Sequence, residues 1–365
     1  MSNETKAAYT ATAAALAAAV TAVVAAMTGT GADIDQLETD IAALNARVDA
    51  LETPPSCSAA DPIVVTCYGG TVDEQFNQAL NDAGVDKEVF VPAGIYELND
   101  PLNATNKKLR GVKHALPGQG SVIRGTVTAG PPGLHLSDIE VDRVEVTQGH
   151  YTRLENVHLP KGARFDRCHV LRLRDIHMRG TLELWDANSA GITGLWIEQT
   201  VGHGIHLITN ANSGNSVSIG QFAIDNSGGH AVAIEGKGKT HASIHLWDGT
   251  IENPGNDGIN ANNAARLTAT NVRIITDAVN VHQAIKLQDC RGCTFWANNL
   301  HSTKGAGSLE NDIVADGDMR YFRMWANSQY GGDPTHPADW LTTARINGQE
   351  YSQDCEQLTL DSRCQ

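Results

Sequence analysis

Aromatic residues are scarce, at 5% of the 365 residues, and hydrophobic residues as a whole reach only 41%. Such a length can hold two average domains or one elongated one. With 35 glycines and so few large side chains, a thin, repetitive core is expected in place of one thick centre. Positive charge is also short: 27 Lys plus Arg against 42 Asp plus Glu leave a net charge of -15. A surface that acidic repels phosphate backbones and excludes a general nucleic-acid binder. It suits contact with neutral sugars, or with acidic ones through a basic spot or a bound cation.

Cysteine is sparse and odd in number, 7 in all, so at least one has no partner within the chain. Cys57 with Cys67, and Cys355 with Cys364, are close enough in sequence to be candidate disulfides. The segment Cys290-Arg291-Gly292-Cys293 lacks the second ligand pair that a zinc site needs, and no metal ligands are assigned there. A strongly apolar run of about 20 residues is absent. Residues 7–27 are uncharged, but twelve of the 21 are Ala, which supplies little transfer energy, so no membrane span is expected. Lys6 before this run and Val24-Ala25-Ala26 within it also suit a secretory signal peptide covering residues 1–26.

A helical stem accounts for more of this segment. Ile34, Leu37, Ile41, Leu44, Val48 and Leu51 follow a strict a/d heptad, which continues back through Met27, Val23 and Val20. Such a stripe has only identical helices to bury against, so parallel self-association is expected. Ile and Val at a with Leu at d lean towards a dimer. Thr53-Pro54-Pro55 ends the helix, because proline lacks the donor and clashes with the preceding turn.

The middle of the chain is periodic. Glu140, His158, His177 and Trp196 are centres of short apolar-alternating segments spaced 18, 19 and 19 residues apart. The step then lengthens to 27, giving Ile197-Glu198, Ile224-Asp225 and Ile251-Glu252. A second series, Gly204-Ile205, Ala231-Val232, Gly258-Ile259 and Ala284-Ile285, runs in phase with it. Steps this short suit coils of three strands and turns, stacked so that like residues form columns: a parallel β-helix. Alternation turns Leu195, Ile197, Phe222, Ile224, Ile251, Ile205, Leu207, Val232, Ile234, Ile259 and Ile285 inward. Gln199, Asn226 and Asn253 are expected to form an amide ladder at a turn.

Residues 71–80 read as an amphipathic helix, followed by the strands Val89-Phe-Val-Pro-Ala-Gly-Ile-Tyr96 and Ser121-Val-Ile-Arg-Gly125. This helix, the VPAGxY strand and the IRG strand resemble the opening of pectate-lyase-like right-handed β-helix proteins, a superfamily that includes many bacteriophage tailspikes. The resemblance covers roughly residues 62–305 and is specific for fold rather than chemistry. It implies an all-β chain organised as a helical stem (1–53), a β-helix opening with its capping helix (54–125), the parallel β-helix (126–307) and a C-terminal cap or tip (308–365). It also implies a virion tailspike or fibre whose residues 1–53 anchor to a virion component. Members of that family are homotrimers, against the dimer lean of the heptads. The implied partner is a host cell-surface polysaccharide, bound and in some members depolymerised. A secreted bacterial polysaccharide lyase or glycoside hydrolase and a non-enzymatic adhesive fibre are the alternatives.

Candidate chemistry follows from the columns. Glu198, Asp225 and Glu252 should stack on one outer face about 5 Å apart. Carboxylates that close raise one another's pKa, as acid/base catalysis requires, or hold Ca2+ through oxygen ligands. His203, His230 and Asp257 occupy the following turn, and His158, His177 and Trp196 the neighbouring outer column. Flat rings beside carboxylates suit a sugar-binding groove. A turn that uses acid, Asn and Gly for its own backbone is the competing explanation. Gly202-His203-Gly204 resembles the GHG of polygalacturonase-type hydrolases, whose Asn-Thr-Asp and Asp-Asp motifs this chain lacks. Lys286, Arg273 and Lys237 are the basic residues nearby, while Trp185, Trp247 and Trp296 are either sugar platforms or packing, with packing favoured for the last two.

Overall fold

The computed structural model describes residues 62–85, 87–113, 120–209, 216–236, 243–276, 283–302, 313–325, 327–330, 343–352 and 358–359. Contacts divide the chain into Met1–Ser56 and Cys57–Gln365, and all described residues belong to the second unit. The stem over residues 1–53, its heptads and its oligomeric state lie outside the described residues, as do Cys57, Cys355 and Cys364.

Helix α1 (Val72–Ala83) begins with a capping box, in which Thr71 accepts from the Glu74 backbone while Glu74 accepts from that of Thr71. Its Phe76, Ala79, Leu80 and Ala83 are buried, and Phe76 meets Tyr96 edge-on. Lys107 Nζ donates to the Leu80 and Gly84 carbonyls at 2.6 Å, satisfying the C-terminal end of the helix. The strand expected over residues 89–96 is two strands, Glu88–Phe90 and Gly94–Glu97. Pro92 lies between them and has no N–H for the ladder.

From there the chain winds as a parallel β-helix. Long strands at Tyr151–Leu159, Val170–Met178, Ala190–Glu198, Ser216–Asp225, Ser243–Glu252 and Leu267–Thr276 pair in parallel, each with the next. Short strands at Ala163–Asp166, Leu182–Trp185, Ile205–Thr209, Val232–Gly236, Ile259–Asn262 and Ile285–Gln288 form a second parallel ladder. Twisted parallel strands joined this way take the right-handed crossover, so the fold is a right-handed parallel β-helix. Each long strand bends once, at Asn156, Asp175, Gly194, Gln221, Asp248 or Asn271, all with φ between 50° and 66°. Asp and Asn tolerate that left-handed corner, and Asn271 donates across it to Asp248.

Ile197, Ile224 and Ile251 pair rung by rung and are at most 1% exposed. Every residue expected to point inward in the 19- and 27-step series is buried. Burial of each large aliphatic side chain stabilises by about 1.5–3 kcal/mol, so the columns hold the coils together.

The longer step is shared around the coil: the segment leading back to the long strand grows from residues 167–169 to 210–215, the strands lengthen slightly, and the turn into the short strand widens. In the earlier coils the turn from long to short strand is residues 160–162 or 179–181; in the later ones it is 199–204, 226–231 or 253–258. These wider turns stand out from one edge of the helix and carry His203, His230 and Asp257.

Two expectations about the chain's course differ from what is observed. The parallel coils do not end at residue 307: Ile313–Asp316, Arg323–Trp325 and Ser328–Tyr330 continue them, as does Thr343–Ile346. Inserted segments of unequal length between these strands conceal the period. Among the described residues antiparallel pairs, Thr343–Ile346 with Gln349–Ser352 and Arg323–Met324 with Leu358–Thr359, come only there. The amide ladder is also elsewhere. Gln199, Asn226 and Asn253 have φ of 49–54° and turn the corner with their backbones, each N–H donating to the carbonyl one coil on. The buried ladder is Asn298 and Asn327. Asn298 Oδ1 accepts from Val272 N, its Nδ2 donates to Ala269 O and Asn327 Oδ1, and Asn327 Nδ2 donates to Phe295 O.

Cys67 is disulfide-bonded to a partner outside the described residues. Cys290 and Cys293, given no role from the sequence, form a disulfide, and Cys168 is a buried free thiol. Burial pushes the Cys168 thiol up to about 11 and leaves it unreactive.

Candidate functional site

Parallel pairing in register brings Glu140, His158, His177 and Trp196 into one outer column. The rings are stacked: His158 on His177 at 4.6 Å and 20°, and His177 on Trp196 at 4.6 Å and 17°. Glu140 anchors the lower end. It is 7% exposed, lies 2.9 Å from His158 Nδ1 and receives Arg124 at 2.6 Å. Asp142 beside it pairs with the same Arg124 and with Lys161. No sequence signal marked this charged base, because its members come from separate coils.

Residue size ends the stack. Trp196 pairs next with Ala223 and Ala223 with Thr250, so beyond the indole the column narrows to small side chains. Trp196 is 51% exposed, whereas the His158 and His177 side chains are 15% and 25% exposed. The result is an indole held flat by a ring beneath it, with its other side over a shallow step. An apolar face in that position fits the CH-rich face of a sugar ring.

The acidic column stands two residues along on the same face. Glu198, Asp225 and Glu252 pair rung by rung as the spacing requires. At Glu198 the surroundings oppose the raised carboxyl that acid catalysis needs. Glu198 Oε1 is 2.8 Å from Arg179 Nε and 3.3 Å from His177 Nε2. The Arg179 hydrogen bond holds the Glu198 carboxyl below its ordinary range, the opposite of the raised value a general acid needs. Among the described residues no group of three or more His, Cys, Asp or Glu is placed to hold a metal ion. Burial, followed by the His158 ring, pushes the His177 imidazole down.

His203, His230 and Asp257 also stack, the two rings at 5.2 Å and 10°, and their roles are those of turn caps. His203 Nδ1 accepts the His230 N–H at 3.1 Å, and His230 Nδ1 accepts the Asp257 N–H at 3.1 Å. Asp257 Oδ1 in turn accepts the Gln283 N–H at 3.0 Å. Each side chain thus satisfies a turn donor one coil on. A nitrogen that accepts carries no proton, so in this arrangement the hydrogen of each ring is on Nε2. His230 Nδ1 also lies 3.3 Å from Asp257 Oδ2. Gly204 is dictated by packing: a Cβ there would lie 2.7 Å from the Ala231 carbonyl oxygen and from Ile224 Cγ2. The last two residues of the GHG likeness thus have structural causes.

Behind these turns, on the short-strand face, is a recess of about 260 Å3 bounded by His203, His230, Ala233, Glu235, Asn260 and Asn262. It exists because Ala233 stands in a column between His206 and Asn260. Val201, at the tip of the first wide turn, is 98% exposed.

The remaining candidates disperse. Arg273 follows Thr250 in the Trp196 column, whereas Lys286 follows Asn260 on the other face, and Lys237 lies outside the described residues. Trp185 packs under the Arg164 guanidinium at 4.1 Å. Trp247 lies over Gly220, where a Cβ would come within 2.0 Å of the ring. Trp296, expected to pack, is 45% exposed. Among the described residues no helix is long and apolar enough to cross a membrane.

No protein-family model and no curated protein sequence matches the chain. Among solved structures, tailspike protein 3 of bacteriophage CBA120 matches at 12% identity and a TM-score of 0.24, over 75% of this chain and 62% of that one. The match thus spans less than two thirds of the tailspike's length.

Proposed function

We propose that this chain is a virion spike or fibre that binds a host cell-surface polysaccharide through the face carrying Trp196. The observation that carries the reading is the ring stack His158–His177–Trp196, which ends in a half-exposed indole beside small side chains. Burying an aromatic edge-to-edge in a core needs no such stack, and a repeating polymer suits a surface built from repeating rungs. The acidic surface favours a glycan over nucleic acid. The heptads of residues 20–51 support a parallel, self-associating stem; the homotrimer in this reading comes from the resemblance to tailspikes, against the dimer lean of the heptads. The role in this reading is binding: Glu198, occupied by Arg179, is assigned no acid/base step.

The test is binding of the full chain to a panel of immobilised capsular and lipopolysaccharide glycans, alongside Trp196→Ala. Saturable binding to at least one glycan, weakened about tenfold or more in the variant, supports the proposal, since loss of one aromatic contact of about 1.4 kcal/mol is tenfold in affinity. Equal binding by both proteins, or binding to none of the panel, contradicts it.

A further inference from the structure

The recess on the short-strand face lies outside the Trp196 column, and its lining has a consistent chemistry. Its floor is the small side chain of Ala233, set between His206 and Asn260 on adjoining rungs. Asn260 Nδ2 is drawn to Asp257 Oδ2 at 2.7 Å, which orients that amide, and Asn262 sits two residues along on the same face. Glu235 adds a carboxylate, 3.0 Å from His206 Nε2. His203 and His230 form the wall on the turn side.

On the wall, the Nδ1 atoms of His203 and His230 accept backbone N–H groups one coil on, which leaves Nε2 of each ring as its donor. Among the described residues the nearest basic side chain on this ladder, Lys286, belongs to the next rung beyond Asn260 and does not line the recess. A carboxylated ligand would meet Glu235 in a molecule of net charge -15, with no cation among the described residues of the lining to offset it. A neutral polyhydroxylated ring meets imidazole and amide donors together with amide and carboxylate acceptors. The volume of about 260 Å3 lies just below the range of ligand sites, about 300 to 1,000 Å3, and suits one ring rather than a chain.

We propose that this recess is a subsite for a single neutral sugar residue, a hexose or N-acetylhexosamine, and that it discriminates against uronic and sialic acids. The proposal rests on the reading of the chain as a glycan binder, and it does not depend on Trp196.

Saturation-transfer NMR on the full chain, with N-acetylglucosamine, glucose, galactose, glucuronic acid and N-acetylneuraminic acid as probes, tests it. Four proteins are compared: the parent, Ala233→Leu, Glu235→Gln and Trp196→Ala. At least one neutral sugar should receive saturation from the parent and from Trp196→Ala, and lose it in Ala233→Leu, whose larger side chain fills the floor. The acids should bind the parent about tenfold or more weakly than that neutral sugar, and Glu235→Gln should reduce the difference. Glu235→Gln also guards against misfolding of the Ala233 variant, because it leaves the floor intact. The proposal is overturned if an acidic sugar binds as well as the neutral ones. It is equally overturned if no sugar signal is lost in Ala233→Leu, or if every signal disappears in Trp196→Ala alone. That last outcome would remove the recess and leave the indole platform standing. Absence of signal here, with polysaccharide binding intact on the glycan panel, would do the same.

Discussion

Ala223 pairs in register with Trp196 on the next coil, and this change from an indole to a methyl ends a stack of three rings held at 4.6 Å. Substituting Ala223→Trp should continue the stack, cover the platform and weaken polysaccharide binding about tenfold or more without lowering stability, because residue 223 lies on the outer face. Binding isotherms and thermal melts of the variant check both halves of this expectation.

Removing the partner of Glu198 should alter stability in acid rather than chemistry. The Glu198 carboxyl is held below its ordinary 4.5 by Arg179, so its contribution is complete above about pH 4.5 and is lost as pH falls through the lowered value. Arg179 is 52% exposed, which limits the pair to about 1 kcal/mol or less. Arg179→Met should therefore lower the melting temperature slightly at pH 7 and flatten the acid limb below pH 4.5. Melts between pH 3 and 7 decide this.

A second pH effect lies higher. His177 and His203 are both pushed below their ordinary 6.5, with burial the largest cause in each. The unfolded chain then takes up protons first, so stability is whole above pH 6.5 and falls as pH drops below it, until the lowered values are passed. His203→Asn, which keeps an acceptor for the His230 N–H, should shrink this loss between pH 6.5 and 5. Proton uptake on unfolding, followed by calorimetry in buffers of different ionisation enthalpy, measures it.

The Asn298–Asn327 ladder should be a strong point of the later coils. Asn298 is 1% exposed and bonded to Val272, Ala269 and Asn327. Asn298→Ala strands two buried backbone groups, the Val272 N–H and the Ala269 carbonyl, each worth about 1–3 kcal/mol, and should destabilise by about 2 kcal/mol or more. Denaturant melts that leave the midpoint unchanged would contradict this.

The repeat was legible wherever coils have equal length. The 27-residue step aligned Ile197 with Ile224 and Ile251, and the shorter step aligned His158 with His177 and Trp196, all as observed. Past residue 307 unequal insertions hid the coils that reach Ile346. Of the site, the stacking of rings and carboxylates followed from spacing alone. Their electrostatics did not, because Arg179 reaches Glu198 and Arg124 reaches Glu140 from neighbouring coils. The acceptor role of His203 and His230 was equally hidden. It depends on which ring nitrogen faces the next turn, and spacing is silent on that.

The most direct measurement is fluorine NMR of the full chain labelled with 5-fluorotryptophan, with the Trp196 resonance assigned by its loss in Trp196→Phe. On titration with oligosaccharides from a glycan the protein binds, the Trp196 signal should shift saturably and ahead of the other tryptophans. A Trp196 signal that stays in place while the glycan binds would contradict the indole platform and, with it, the proposed recognition face.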